Sequence, residues 1–196
     1  GEKLNELKEG AVVGTGSLRR EIQLKALRPD LHVKFIQGNV DGRIKQMKSG
    51  KFDAIVLAAA GLNRLGMIET ADEILSSKQM LPAVSQGALA LEIRNSDTEN
   101  LSLLEEFNDE DTDLATSAER TFLKELGGGC NSPIAAYAQI ENESIKIRGL
   151  YASANGEIAQ IDGIEGHKKI ANQLAAQLAR TLSQKVLDQS RASRDL

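Results

Sequence analysis

Two glycine-rich stretches place arginines where an anion could bind. The first, "VGTGSLRR", covers residues 13–20, and the second, "QGNVDGR", covers residues 37–43. Backbone N–H groups at a helix start attract anions, and guanidinium groups bind carboxylates or phosphates in pairs. The predicted anion ligands are Ser17, Arg19, Arg20 and Arg43. An ordinary capped helix with surface arginines is the alternative interpretation.

Cys130 is the only cysteine, and three glycines precede it in "LGGGCNSP". A free cysteine is most often a small buried side chain, but these glycines leave room beside the sulfur for a bulky group. A nucleophilic thiolate needs a neighbouring base or cation, and the local sequence offers neither. The loop therefore favours a covalent anchor, and it only weakly supports a thiol-dependent hydrolase.

The composition excludes several classes of protein. The chain has 196 residues, 41% hydrophobic and 27% charged, with a net charge of −4, which is typical of a globular protein. No apolar run is long enough to cross a membrane, and no basic–aromatic pattern indicates nucleic-acid binding. One cysteine and the two distant residues His32 and His167 predict no metal site and a reducing, cytoplasmic location.

The elements that must position the arginines alternate along the first half of the chain. Strands are predicted over residues 11–15, 32–36 and 54–60, and helices follow an N-cap at Ser17 and cover residues 40–47. This order predicts an α/β fold with a parallel sheet. The carboxyl ends of its strands would bring Arg19, Arg20 and Arg43 to one crevice, which Arg64 could join.

The second half predicts a small α+β domain. Predicted strands cover residues 88–93, 134–140, 144–153 and 158–164, with a hairpin-like turn at "ENES". Predicted helices cover residues 99–108, 113–126 and 167–190. A repeat of apolar residues every four positions predicts the core stripe of the last helix: Ile170, Leu174, Leu178, Leu182 and Val186.

Six stretches resemble the porphobilinogen deaminase (hydroxymethylbilane synthase) family of tetrapyrrole (heme) biosynthesis. In chain order they are "VGTGSLRR", "GNVDGR", "DAIVLAAAGLNRLG", "LPAVSQGALALEIR", "AERTFLKELGGGCNSPIAAYA" and "LYASANGE". The resemblance implies a transferase that condenses four porphobilinogen units, with release of ammonia, on a dipyrromethane cofactor. Its partners would be porphobilinogen and the polypyrrole intermediates.

The resemblance also assigns residues to this chemistry. Cys130 matches the cysteine that holds the dipyrromethane through a thioether bond. The positions that match residues binding cofactor or substrate carboxylates are Ser17, Arg19, Arg20 and Arg43. Arg64 and Gln86 match positions that line the same cleft.

The family pattern further implies a domain organisation. Residues 10–94 match the second, periplasmic-binding-protein-like domain, and residues 117–196 match the third domain, which carries the cofactor. Residues 95–116 match a segment that returns to a first domain, and that first domain supplies an acidic catalytic residue. We therefore expect no catalytic residue in this chain and a need for the first domain as a partner. We also expect a monomeric state, and no activity of the chain alone.

Three positions depart from the family pattern. Gly16 stands where a second serine-like residue is usual, Gln37 where an arginine usually precedes "GN", and Gly127 where a glutamate is frequent. The loss of a guanidinium at Gln37 should weaken or redistribute carboxylate binding. A non-enzymatic module that binds a small dianion through the arginines, and leaves Cys130 unused, is the second hypothesis.

Overall fold

The computed structural model describes residues 1–129 and 132–193, which form two compact units. The first unit contains residues 1–81, 132–133 and 152–159. The second unit contains residues 82–129, 134–151 and 160–193. None of the described helices is long and apolar enough to cross a membrane.

A three-stranded parallel sheet lies at the centre of the first unit. Its elements are β1 (Val12–Gly14), α1 (Leu18–Leu27), β2 (His32–Lys34), α2 (Val40–Lys48), β3 (Ala54–Ile55) and α3 (Ala59–Arg64). The strand order is β2-β1-β3, and Val13 of β1 lies opposite both Val33 and Ala54. The predicted parallel sheet is confirmed, because strands that alternate with helices return to the sheet in the same direction.

The predicted strand over residues 54–60 is wrong in its second half. Pairing with β1 ends at Ile55, although the Val56 N–H still donates to the Gly14 carbonyl at 3.0 Å. The helix α3 begins at Ala59, within a run of three alanines, the residue with the highest helix propensity. Residues 58–60 are exposed, so this end of the run is not covered by the sheet's neighbours.

The N-terminal segment closes the core of the first unit. The buried cluster consists of Leu7, Ala11, Val13, Leu24 and Leu31. Arg28 holds the segment in place, because its guanidinium donates to the carbonyls of Leu4 at 2.8 Å and Leu7 at 3.1 Å. Asp30 accepts two further bonds from this guanidinium at 2.7 Å, and they lower the pKa of Asp30 to about 2.

The second unit packs helices against a three-stranded sheet. Its elements are α4 (Thr98–Glu105), α5 (Glu110–Glu125), β4 (Ile134–Glu141), β5 (Ser144–Ala152), β6 (Ala159–His167) and α6 (Ala171–Ala192). The strand order is β4-β5-β6, and β4 and β5 run antiparallel with Glu141 opposite Ser144. Asn142, with a φ of 59°, makes the turn predicted at "ENES". The predicted α+β character is therefore confirmed, with helix ends shifted by a few residues.

The core stripe of α6 is confirmed except at its first member. The buried residues include Leu174, Leu178, Leu182 and Val186. The first three belong to the same buried cluster as Phe122 of α5. Ile170 is 41% exposed, so its assignment to the stripe is wrong. It ends a short 3₁₀ helix (Lys168–Ile170), whose three residues per turn break the angular step of the α-helical repeat.

The predicted strand over residues 88–93 is also wrong. In the part of the chain that the structure describes, this segment pairs with no strand, and Leu89 and Leu91 are 92% and 66% exposed. Alternation of apolar and polar residues indicates an extended backbone. A strand additionally needs a neighbour for its N–H and C=O groups, which the alternation cannot supply.

Candidate carboxylate-binding site

The first glycine-rich stretch lies at the carboxyl end of the parallel sheet. Because β2 and β3 flank β1 on opposite sides, the strand order reverses at β1, and ligands of such sheets bind beyond this point. Thr15 extends β1, since its N–H donates to the Lys34 carbonyl at 3.0 Å. Its hydroxyl accepts the Ser17 N–H at 3.2 Å, which fixes the turn into α1.

Gly16 occupies a place where two backbones approach closely. A Cβ atom added there would lie 2.9 Å from the Ile36 carbonyl oxygen and 3.7 Å from Cε2 of Phe35. The first distance is shorter than real Cβ contacts, so any side chain would force the Ile36 turn to move. The departure from the family pattern at Gly16 therefore has a local structural reason.

Ser17 is the N-cap of α1, as predicted, but its hydroxyl makes no capping hydrogen bond. Its carbonyl accepts the N–H groups of Arg20 and Glu21, both at 3.0 Å. In the part of the chain that the structure describes, the Ser17 hydroxyl makes no hydrogen bond at all. It can therefore donate to an anion beside the positive end of the helix.

Arg19 and Arg20 are held by backbone carbonyls. Arg20 donates from Nη1 to the carbonyl of Val56, just after β3, at 3.0 Å. Arg19 donates from Nη1 to the carbonyl of Leu81 at 3.1 Å. Each contact uses one of the five N–H donors of a guanidinium, so each side chain is oriented while several donors stay available.

Arg43 is oriented in the same way in the first turns of α2. Its Nε donates to the Gly38 carbonyl at 2.8 Å, and the Asn39 side chain caps the helix by accepting the Gly42 N–H at 2.9 Å. Gly38 has a φ of 114°, a conformation that favours glycine at this turn. The second glycine-rich stretch thus presents its arginine as the first one does.

The three guanidinium groups form a region of uncompensated positive charge. Burial, and then the charge of Arg20, lower the pKa of Arg19 to about 10. Burial, and then the charge of Arg43, lower the pKa of Arg20. Among residues 1–129 and 132–193, no carboxylate pairs with any of the three within 4.0 Å. An anion bound here would relieve this repulsion.

The remaining predicted site residues that the structure describes are exposed. Arg64 is exposed at the end of α3, and Gln86 is exposed in the second unit, where its N–H donates to the Ala83 carbonyl at 3.1 Å. Gln37 is also exposed. Cys130 lies outside the described residues. The structure thus brings together Arg19, Arg20 and Arg43, beside Ser17, and the roles of the others stay predictions.

Gly127, the third departure from the family pattern, ends α5. Its φ of 64° is left-handed, and its N–H donates to the Lys124 carbonyl at 3.0 Å. The Gly128 N–H donates to the Leu123 carbonyl at 3.1 Å, which completes a helix C-cap that glycine favours.

Gln23 was not predicted, although it supports the arginine cluster. It is only 2% exposed, and its amide bonds Leu81 twice, donating to the carbonyl at 3.1 Å and accepting the N–H at 2.7 Å. The Leu81 carbonyl is also the one that orients Arg19. Gln23 follows Arg19 by four residues, which places both side chains on one face of the helix. This spacing is the sequence feature from which the supporting role of Gln23 could have been predicted.

Glu119 of α5 was also missed. It is 4% exposed, and it accepts the Ser85 N–H at 2.6 Å and the Ala138 N–H at 2.8 Å. Burial raises the pKa of this carboxyl. Ser85 has a φ of 58°, which is uncommon for a residue other than glycine, and Gln86 follows it directly. Glu119 therefore fixes the turn that carries a predicted site residue.

Comparison with known families agrees with the resemblance of the motifs. A family model described as "Porphobilinogen deaminase, dipyromethane cofactor binding domain" matches residues 1–102. A second, described as "Porphobilinogen deaminase, C-terminal domain", matches residues 114–188. The arginine cluster lies within the first match, and Glu119 lies within the second.

Individual relatives carry the same name. The porphobilinogen deaminase of Brevibacillus brevis is 49% identical over 80% of this chain and 51% of its own length. That of Bacillus pumilus is 48% identical over 83% and 53%, and that of Bacillus subtilis is 43% identical over 99% and 62%. The chain thus spans about half to three fifths of these curated relatives. It belongs to the porphobilinogen deaminase family.

Proposed function

We propose that this chain is the cofactor-bearing part of a porphobilinogen deaminase (hydroxymethylbilane synthase), a transferase of tetrapyrrole biosynthesis. The observation that carries the proposal is the convergence of Arg19, Arg20 and Arg43 at the carboxyl end of a parallel sheet, without an acidic partner among the described residues. Family membership gives the substrate class, since the relatives are porphobilinogen deaminases.

A dipyrromethane matches the chemistry of this donor set. Each of its pyrrole rings carries an acetate and a propionate, and guanidinium groups are the side chains best suited to bind carboxylates in pairs. When bound, it supplies the pyrrole carbon to which the first porphobilinogen unit is joined. In this proposal Cys130 holds it by a thioether, and Arg64 and Gln86 remain further predicted contacts.

The backbone contacts of the arginines explain how they would work. Arg20 is fixed at Val56 and Arg43 at Gly38, so their remaining N–H donors are oriented before a ligand arrives. An oriented donor loses less conformational freedom on binding than a free surface side chain does. Because every added pyrrole brings two more carboxylates, the same positive field would attract each substrate and hold the product chain.

Several finer features belong to the same proposal. The strand order β2-β1-β3 supports a periplasmic-binding-protein type of unit, and the domain limits 10–94, 95–116 and 117–196 stay predictions. A cytoplasmic location, a monomeric state and inactivity of the chain alone stay predictions as well. The names of the relatives favour an enzyme over a plain dianion-binding module.

The replacement Arg20→Gln should weaken the binding of porphobilinogen to the chain by about tenfold to a hundredfold, because it removes charge-assisted hydrogen bonds worth about 1.5–3 kcal/mol. Isothermal titration calorimetry at low and high salt would measure the effect. Wild-type affinity should fall as salt rises, because the attraction is electrostatic.

The matched control is Arg120→Gln, which removes an equal charge from an exposed position in α5. This variant should bind porphobilinogen like the wild type. Equal losses in both variants would mean that only the net charge matters, and absence of salt-dependent binding by the wild type would contradict the proposed site.

A further inference from the structure

Phe35 leaves a large apolar ring in solvent at the edge of the site. It is 71% exposed, whereas its neighbour Ile36 is 2% exposed. Two of the other phenylalanines, Phe52 and Phe122, are buried, at 3% and 0%. An exposed ring forgoes about 1.5–3 kcal/mol of burial, so its position merits a functional explanation.

The backbone around Phe35 is ordered by the strand ladder. The Lys34 carbonyl accepts the Thr15 N–H at 3.0 Å, and the Ile36 N–H donates to the Thr15 carbonyl at 3.4 Å. Phe35 lies between these two bonds, directly beyond β2. The backbone of Phe35 is therefore held at the carboxyl edge of the sheet, and its ring is exposed in this fixed position.

The ring lies against the turn that begins the arginine-bearing helix. Cε2 of Phe35 is 3.7 Å from the position that a Cβ of Gly16 would take, and Gly16 directly precedes Ser17. This distance is an ordinary van der Waals separation, so the ring packs beside the backbone at position 16. The Phe35 ring therefore lies next to the turn from which the helix with Ser17, Arg19 and Arg20 begins.

We propose that Phe35 is a specificity-determining residue on which a pyrrole ring stacks while the arginine cluster binds its carboxylates. The inference rests on the proposed function and extends it from charge to ring recognition. A carboxylate-bearing pyrrole has a flat π face, and offset stacking of aromatic rings adds attraction beyond their burial. The ligand class is therefore a planar heteroaromatic acid, in preference to an acyclic diacid of the same charge.

Two probes separate ring recognition from charge recognition. Porphobilinogen offers a pyrrole ring with two carboxylates, and glutarate offers two carboxylates without a ring. Phe35→Ala should weaken porphobilinogen binding about threefold to tenfold and leave glutarate binding unchanged. Phe35→Tyr, which keeps the ring, should bind both probes like the wild type.

The experiment is a titration of the full chain followed by ¹H–¹⁵N correlation spectra, which also show whether each variant keeps its fold. Phe107→Ala is the matched control, because Phe107 is 75% exposed but lies in the second unit. It should change neither affinity. In the wild type, nuclear Overhauser contacts should join the Phe35 ring protons to the pyrrole.

Unchanged porphobilinogen binding by Phe35→Ala, with the loss in Arg20→Gln retained, would overturn the stacking role and leave the carboxylate site in place. A loss of both probes in Phe35→Ala would also overturn it, because ring recognition cannot affect glutarate. Failure of the wild type to bind either probe would overturn the carboxylate site and the stacking role together.

Discussion

Replacing Glu119 with alanine should lower the free energy of unfolding of the second unit by about 3 kcal/mol, because one buried and one half-buried N–H group would lose their acceptor. These are the backbone N–H groups of Ser85 and Ala138. The only two tyrosines, Tyr137 and Tyr151, lie in β4 and β5. Tyrosine fluorescence during urea denaturation therefore reports on this unit alone. A loss below about 0.5 kcal/mol would contradict the role given to Glu119.

Adding Ser85→Gly to the Glu119→Ala variant distinguishes the contribution of the hydrogen bond to Ser85 from that of the hydrogen bond to Ala138. Glycine adopts a φ of 58° without the steric cost that serine has, so it should recover about 1 kcal/mol if the turn at Ser85 is what Glu119 stabilises. The same change in the wild type should have a smaller effect, since Glu119 already holds the turn. Identical effects in both backgrounds would assign the whole loss to Ala138.

The pH dependence of the same site has a definite sign. Burial raises the pKa of Glu119, so the folded state favours the protonated carboxyl. This contribution to stability is fully present below the unfolded-state pKa and is lost as the pH rises through the folded-state pKa. Relative to Glu119→Gln, the wild type should therefore lose stability across that interval.

The second large effect is expected at the contact between Phe122 and Gly149. Phe122 is fully buried, and its truncation to alanine should cost about 4 kcal/mol. A Cβ added at Gly149 would lie 2.5 Å from Cζ and 2.7 Å from Cε2 of that ring. Gly149→Ala should therefore cost about 2 kcal/mol through overpacking.

A double-mutant cycle tests whether these two costs share one cause. Once the Phe122 ring is gone, the added methyl group of Gly149→Ala has room, so its cost should fall to near zero. The tyrosine signal again gives the unfolding free energies. Additive costs in the double variant would show that the ring is not what makes glycine necessary in β5.

The arginine cluster was predictable because its signals are local. A strand, a glycine turn and an N-cap follow one another within "VGTGSLRR", and parallel strands end at one edge of the sheet. The same reasoning placed Arg43. It could not show that the backbone carbonyls of Val56 and Leu81 would orient Arg20 and Arg19, because those contacts join residues 36 and 62 positions apart.

The missed features depend on distant or absent neighbours. Glu119 and Ser85 are separated by 34 residues, and a glutamate in an amphipathic helix gives no sign that it is buried. Residues 88–93 do alternate between large apolar residues and small or polar ones, but among the described residues no neighbouring strand pairs with them. Leu89 is therefore left exposed. Phe35 lies in the predicted strand over residues 32–36, and the alternation of that strand does not show which of its two faces is covered.

Covalent attachment of the cofactor at Cys130 can be measured through the intact mass of the chain before and after incubation with hydroxymethylbilane, beside Cys130→Ser. We expect the wild type to gain the four pyrrole units of hydroxymethylbilane, because the Cys130 thiolate displaces the terminal hydroxyl group, released as water, and forms the thioether. The variant should gain none. Arg20→Gln should gain them more slowly, because its carboxylate site is weakened. An equal gain in Cys130→Ser, or no gain by the folded wild type, would contradict the claim that this chain anchors a dipyrromethane through Cys130.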